Sequence, residues 1–120
     1  MPNCADMDGV EGLYVVHFGI PTYYGSGVIV LETERFFGGD SMYYYVGDYK
    51  VNGAAIIGKG RVVLHTSIPN VPTIFGDVTG KFNVELSGVI GNERIEGSMR
   101  RPDMPAIALP IVLIFREKLP

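Results

Sequence analysis

Apolar and polar side chains alternate along most of the chain, in short runs separated by glycine, proline and asparagine. In the run 80–90, Phe82, Val84 and Leu86 alternate with polar neighbours. A two-residue period is typical of a β-strand with one buried face. Turn signals recur about every ten residues, as expected of a sandwich or a barrel. The pattern predicts eight strands, at about 11–19, 25–32, 35–38, 41–50, 54–66, 80–90, 93–99 and 106–117.

The segments between the predicted strands are mostly tight turns. Asn52-Gly53 and Gly91-Asn92 favour two-residue hairpin loops, in which the backbone takes positive φ. One long connection, residues 66–79, contains two prolines and a glycine, which disfavour both strand and helix. Its apolar residues predict that it folds over an opening. We therefore expect an all-β protein with little or no helix, a single β-barrel domain at 10–120 that follows a flexible N-terminal tail at 1–9.

Strand parity sorts side chains between the inside and the outside of the barrel. On the fourth strand, Asp48 and Lys50 mark the outward face, so the tyrosines of the other parity face inward. An eight-stranded antiparallel up-and-down barrel either holds one small ligand or is filled by side chains. Six large rings on short strands favour filling. The rings predicted inside, which would otherwise line a ligand cavity, are Tyr14, Phe18, Tyr43, Tyr45, Tyr49 and Phe82.

The outward parity also carries apolar side chains on the first and eighth strands, which become neighbours when the barrel closes. The second strand is apolar on both faces. A contiguous exposed apolar patch is typical of an interaction site, although a flattened barrel or a covering loop would also account for it. The predicted dimer or partner surface comprises Leu13, Val15, Ile29, Val112 and Ile114.

Composition and charge exclude several classes of protein. Apolar residues make up 47% of the chain and charged residues 19%, which is too apolar for a disordered protein. The net charge is -3 and the basic residues are scattered, which disfavours direct nucleic-acid binding. The single Cys4 allows no intramolecular disulfide and fits a reducing compartment. The longest apolar run is about half a membrane-spanning helix, and no signal peptide is evident, so we expect a cytoplasmic protein.

The residues that could carry chemistry do not form a recognisable catalytic or metal site. His17 and His65 fall on outward parities of separate strands, with no acid at metal-ligand spacing. Asp40 follows two glycines and is typical of a turn in which the carboxylate caps its own backbone. The Gly-Ser-Gly sequence at 25–27 begins a strand rather than a helix, so it does not predict a phosphate site. We expect a non-enzymatic protein without a metal or a cofactor.

Longer stretches of the sequence carry a family resemblance that extends over residues 10–118. They are EGLYVVHFG at 11–19, GSGVIVLETERFFGGDSMYYYVGDYKVNG at 25–53 and the glycine-rich fifth strand. These stretches resemble the GrlR-like family, small bacterial regulators named for a negative regulator of type III secretion. The motifs that match are Gly12-x-Tyr14, Gly38-Gly39-Asp40 and Tyr45-x-Gly47-x-Tyr49.

The resemblance implies a lipocalin-like eight-stranded barrel, a homodimer and no catalysis. It also implies repression of type III secretion genes by binding a transcriptional activator rather than DNA. The named family member has acidic residues after its fourth strand that are linked to activator binding, whereas the matching positions 51–54 contain none. A regulatory protein is therefore the first functional hypothesis. The alternative is a carrier or sensor of a small apolar molecule inside the barrel.

Overall fold

Eight antiparallel strands follow one another around a closed barrel in chain order, which confirms the predicted architecture. The computed structural model describes residues 9–20, 23–68 and 80–120. Within these ranges no helix is long and apolar enough to cross a membrane. The last strand pairs with the first. The strands are β1 (Gly12–Ile20), β2 (Tyr23–Glu32), β3 (Arg35–Gly39), β4 (Tyr43–Asn52), β5 (Ala55–Leu64), β6 (Lys81–Gly91), β7 (Arg94–Arg101) and β8 (Met104–Glu117).

Two hairpin loops differ from the prediction by one residue. The loop after β4 is Gly53-Ala54 rather than Asn52-Gly53, and the loop after β6 is Asn92-Glu93 rather than Gly91-Asn92. A slip of one residue would turn every buried side chain of a strand outward. The register is therefore set by the buried faces, and the loop residues adapt to it. Gly53 and Glu93 take the positive φ values that these loops need, 62° and 56°.

The inward faces of the strands supply the core, as strand parity predicts. Tyr43, Tyr45 and Tyr49 of β4 are buried, whereas Asp48 and Lys50 of the same strand are exposed. The same alternation holds on β1, β6 and β7. The tyrosines at these three positions are therefore part of the barrel interior rather than a surface cluster.

Large rings inside the barrel lie against glycines of the neighbouring strands. A Cβ at Gly47 would stand 2.5 Å from the Phe36 ring, and one at Gly60 would stand 2.7 Å from it. Phe18 covers Gly25 in the same way, at 2.6 Å. Each ring occupies the space that a side chain would need, so these positions require glycine for packing.

A row of charged side chains crosses the outer surface from β3 to β7. Arg35, Asp48, Lys59, Glu85 and Arg100 lie directly opposite one another across these five strands. Their charges alternate in sign along the row, and opposite charges at facing positions stabilise a sheet. This row suits contact with water.

Two predictions concern segments that lie largely outside the described residues. They are the flexible tail at 1–9 and the connection at 66–79 that is predicted to cover an opening. Residue 9 of the tail and residues 66–68 of the connection are described. Ile68 is half-buried against the core, so the beginning of the connection packs onto the barrel.

Candidate ligand cavity and apolar outer face

A cavity of about 100 Å³ lies inside the barrel. All eight strands contribute to its wall, whose surface is almost entirely carbon. The lining residues are Val16, Phe18, Ile29, Leu31, Phe36, Tyr45, Tyr49, Ile56, Gly58, Val62, Val84, Leu86, Ser87, Gly88, Ile95, Gly97, Met99, Ile111 and Leu113.

Three glycines on adjacent strands form one wall of the cavity. Gly58 lies opposite Leu86, and Gly88 lies opposite Gly97, so inward positions of β5, β6 and β7 have no side chain. At about 24 cal/mol per Å³, a void of this volume costs about 2 kcal/mol of stability. The expectation that rings fill the barrel is therefore wrong for its middle, since the glycine wall leaves space there that no ring occupies.

The six rings that were predicted inside the barrel occupy different levels of it. Phe18, Tyr45 and Tyr49 line the cavity. Tyr14 lies nearer the barrel end that carries the loop after β2, where its ring meets Phe115 edge-on at a centroid distance of 5.6 Å. Its buried hydroxyl donates a hydrogen bond of 2.8 Å to a backbone carbonyl.

The remaining two rings, Tyr43 and Phe82, pack together at the opposite end, with centroids 6.4 Å apart. The buried guanidinium of Arg101 lies over Phe82, 4.6 Å from the ring centre. It donates two hydrogen bonds to Asp103, from Nε to Oδ1 at 2.9 Å and from Nη2 to Oδ2 at 2.6 Å. These bonds lower the pKa of Asp103. The sequence reasoning missed Arg101, although its parity continues the inward series of Ile95 and Gly97.

The buried hydroxyls of Tyr14 and Tyr49 resist ionisation. Burial, together with the nearby Tyr49, raises the pKa of Tyr14 to about 12. Burial also raises the pKa of Tyr49. The backbone of Glu34 lies near the Tyr49 hydroxyl and opposes this rise, but that hydroxyl has no hydrogen bond of ordinary geometry within the described residues.

We expect the barrel to lose stability at alkaline pH as Tyr14 ionises. Its pKa rises from 10.0 to about 12 on folding, so the folded protein holds this proton more tightly than the unfolded chain does. The resulting stabilisation is complete below about pH 10 and is lost as pH rises through about 12. Tyr14→Phe should therefore lose less stability than the parent between neutral pH and about pH 11. Urea unfolding at both pH values measures this, and equal alkaline losses in the two proteins would contradict the assignment.

Asp40 organises the turn between β3 and β4. Its Oδ1 accepts hydrogen bonds from the backbone N–H groups of Met42, at 2.9 Å, and Tyr43, at 2.8 Å. Its Oδ2 accepts a bond of 2.6 Å from the Tyr45 hydroxyl. The prediction that Asp40 caps its own turn is confirmed, and the bond to Tyr45 also holds a ring of the cavity wall.

The outer surface at the seam of β1 and β8 is apolar. Leu13 and Val15 of β1 and Val112 and Ile114 of β8 have outward parity and are half-buried, and Val15 lies directly opposite Ile114. The apolar surface continues across β2 and β3 to β4. We define the apolar outer face as Leu13, Val15, Val28, Val30, Phe37, Tyr44, Val46, Val112 and Ile114.

The prediction that Ile29 belongs to this outer surface is wrong. Ile29 is 8% exposed and lines the cavity. It lies directly opposite Tyr14, and directly opposite residues share one face of a sheet. The outward residues of β2 are its neighbours Val28, which is 50% exposed, and Val30. Ser26 and Glu32, the polar residues near the two ends of β2, share the parity of Val28 and Val30 and mark that side as the outward one.

The described residues contain no group of three or more His, Cys, Asp or Glu side chains that could hold a metal ion. His65 lies at the surface, where its Nε2 is 2.9 Å from the backbone oxygen of Asp40 and its Nδ1 is 2.7 Å from Thr66 Oγ1. Neither a protein-family model nor a curated protein sequence matches this chain significantly. The cavity and the apolar outer face are therefore the features from which a function is argued.

Proposed function

We propose that this barrel is a non-enzymatic regulatory protein that binds other proteins through its apolar outer face. The observation that carries the proposal is the continuity of that face over β8, β1, β2, β3 and the beginning of β4. Phe37 is 42% exposed within it. Soluble monomers rarely expose contiguous apolar surface of this kind, and such surface is typical of an interaction site.

The closed barrel limits how a partner can bind. Every strand pairs with a neighbour on each side over at least part of its length, so a partner has no complete strand edge to which it could add a strand. Binding must occur between side chains, face against face. Phe37 and Tyr44 lie on adjoining strands of the apolar outer face, and aromatic residues contribute strongly to binding energy at protein interfaces.

The first partner in this proposal is a second copy of the chain. Two copies related by a two-fold axis bury the same surface on each subunit, which would remove both apolar outer faces from water. The resemblance to the GrlR-like family supports this homodimer. It also supports a role in the cytoplasm as a negative regulator of type III secretion genes that binds a transcriptional activator.

The charge pattern supports a protein partner rather than DNA. The charged row on β3 to β7 alternates in sign, whereas binding to the phosphate backbone needs clustered lysine and arginine. The hairpin at 51–54 contains no acidic residue. An activator would therefore contact a different surface of this chain from the one linked to activator binding in the named family member.

We expect the double substitution Val15→Asp with Ile114→Asp to convert the homodimer into a folded monomer. These two facing residues lie at the seam of β1 and β8, and two carboxylates per subunit would be buried without partners in the dimer. Size-exclusion chromatography with light scattering gives the oligomeric state, and circular dichroism reports the fold.

The matched control is Ile57→Asp with Val89→Asp. Both residues are highly exposed, at 60% and 63%, but they lie on β5 and β6, away from the apolar outer face. This variant should remain a dimer. A monomeric parent protein would overturn the homodimer, and unfolding of the Val15 and Ile114 variant would show that these residues belong to the core.

A second candidate function, a carrier or sensor of a small apolar molecule, is favoured by the internal cavity. Native mass spectrometry of protein purified from its own host separates the two functions. A dimer with an empty barrel would overturn the carrier. A monomer with a small apolar molecule bound in one-to-one ratio would overturn the regulator that binds through its outer face.

A further inference from the structure

We propose that the cavity is a binding site for a small, neutral, wholly apolar molecule, of about the size of a benzene ring or a short alkyl chain. The proposal deepens the second candidate function and is independent of the apolar outer face. An apolar protein cavity of about 150 Å³ is known to stay dry and to take up benzene or xenon. The space here is about 100 Å³, which sets a similar upper limit on the ligand.

The wall of the cavity determines the chemical class of the ligand. Among the residues that the structure describes, no charged side chain lines it, and its surface is almost entirely carbon. The Tyr45 hydroxyl is engaged by Asp40 at 2.6 Å. The Tyr49 hydroxyl is buried, and almost no polar atom is open to the cavity.

A polar molecule in this cavity would find no hydrogen-bond partners in its wall. A buried water needs two to four polar partners, and a charged ligand would be desolvated without compensation. Transfer of an apolar molecule from water into the cavity is favourable, because it forms dispersion contacts that the lining atoms lack and has no hydrogen bonds to water to lose. The cavity therefore selects for neutral apolar ligands.

The cavity is held open by the backbone. A methyl group at Gly97 would overlap the carbonyl oxygen of Ser87, and one at Gly58 would stand 2.8 Å from the carbonyl oxygen of Asp48. The strands approach too closely at these positions for any side chain. A side chain at either of these two positions therefore cannot fill the space next to it, and the space persists in the folded protein.

The test is a titration of methyl-labelled protein with benzene, followed by NMR. Methyl groups of Val16, Leu31 and Val84, which line the cavity, should shift in a saturable manner. Methyl groups of Val28 and Val89, which are 50% and 63% exposed, are the internal control for binding at the surface. Benzoate, which has the same ring with a charge, should cause no saturable shift of the lining methyl groups.

A double variant, Val16→Ile with Val84→Ile, tests the location of the site. The added methylene groups take up part of the cavity, so benzene affinity should fall at least about tenfold. Thermal unfolding of the variant without ligand shows whether it folds. If it does not, the titration of the parent protein decides the question alone.

The outcomes separate this proposal from the proposed functions. Absence of saturable shifts at the lining methyl groups, shifts confined to Val28 and Val89, or equal affinity for benzoate would each overturn the site. The monomeric variant with Val15→Asp and Ile114→Asp should bind benzene as tightly as the parent. A loss of binding in this variant would show that the cavity site depends on the apolar outer face. If the protein binds benzene in solution but carries no ligand when purified from its host, the carrier function is overturned and the binding site is confirmed.

Discussion

Gly97→Ala is expected to destabilise the barrel by about 3 kcal/mol, at the upper end of the usual cost of overpacking. A methyl group at Gly97 would overlap the carbonyl oxygen of Ser87 on β6 and would stand 2.7 Å from the Cα of Gly88. Both obstacles are backbone atoms, which cannot rotate away as a side chain can. The hydrogen bonds between β6 and β7 must therefore lengthen, and urea-induced equilibrium unfolding measures the loss.

Gly91→Ala is the matched control in the same hairpin. The nearest atom to a methyl group at Gly91 is the carbonyl oxygen of Arg94, at 3.4 Å, which is an ordinary contact. We expect the free energy of unfolding of this variant to stay within about 0.5 kcal/mol of that of the parent. If the two variants are equally stable, the close approach of the strands at Gly97 is not a property of the folded protein.

Asp40→Ala is also expected to lower the free energy of unfolding by about 3 kcal/mol, because this carboxylate accepts three hydrogen bonds. The substitution leaves the backbone N–H groups of Met42 and Tyr43 and the hydroxyl of Tyr45 without their acceptor. The lost hydrogen bonds are those that hold the turn between β3 and β4 and the Tyr45 ring in the cavity wall. Chemical denaturation of the variant beside the parent gives the difference in free energy.

Asp40→Asn separates hydrogen bonding from charge. The amide oxygen can accept from both backbone N–H groups, and the amide nitrogen can donate to the Tyr45 oxygen. We expect a loss of less than about 1 kcal/mol, since only the charge assistance disappears. A loss as large as that of Asp40→Ala would mean that the charge, and not the bonding geometry, stabilises the turn.

Strand parity was predictable from the sequence wherever a polar residue marks one face. On β4, Asp48 and Lys50 identify the outward side, and the buried tyrosines follow from them. On β2, the polar markers lie outside the apolar run GVIVL, at Ser26 and Glu32. They share the parity of Val28, and the assignment of Ile29 to the outer surface overlooked them. The pairing of Ile29 with Tyr14 of β1 places it on the inward face, in agreement with these markers.

The cavity was not predictable from the identity of the inward residues. The sequence shows which rings point inward, but whether they meet in the middle depends on what lies opposite each of them. Gly88 faces Gly97, and this coincidence of two glycines on neighbouring strands opens space that the rings at the two ends leave unfilled. Arg101 was missed for a different reason, because the predicted seventh strand ends at residue 99, whereas β7 continues to Arg101.

The pairing of β1 with β8 has a consequence for synthesis of the protein. The first strand remains without one of its two neighbours until residues 104–117 have left the ribosome. During that interval the nascent sheet has two bare edges, which can pair with other chains. Closure also joins the most distant parts of the sequence, and contacts of such long range slow folding. The emerging chain is therefore vulnerable to aggregation until its last strand has been synthesised.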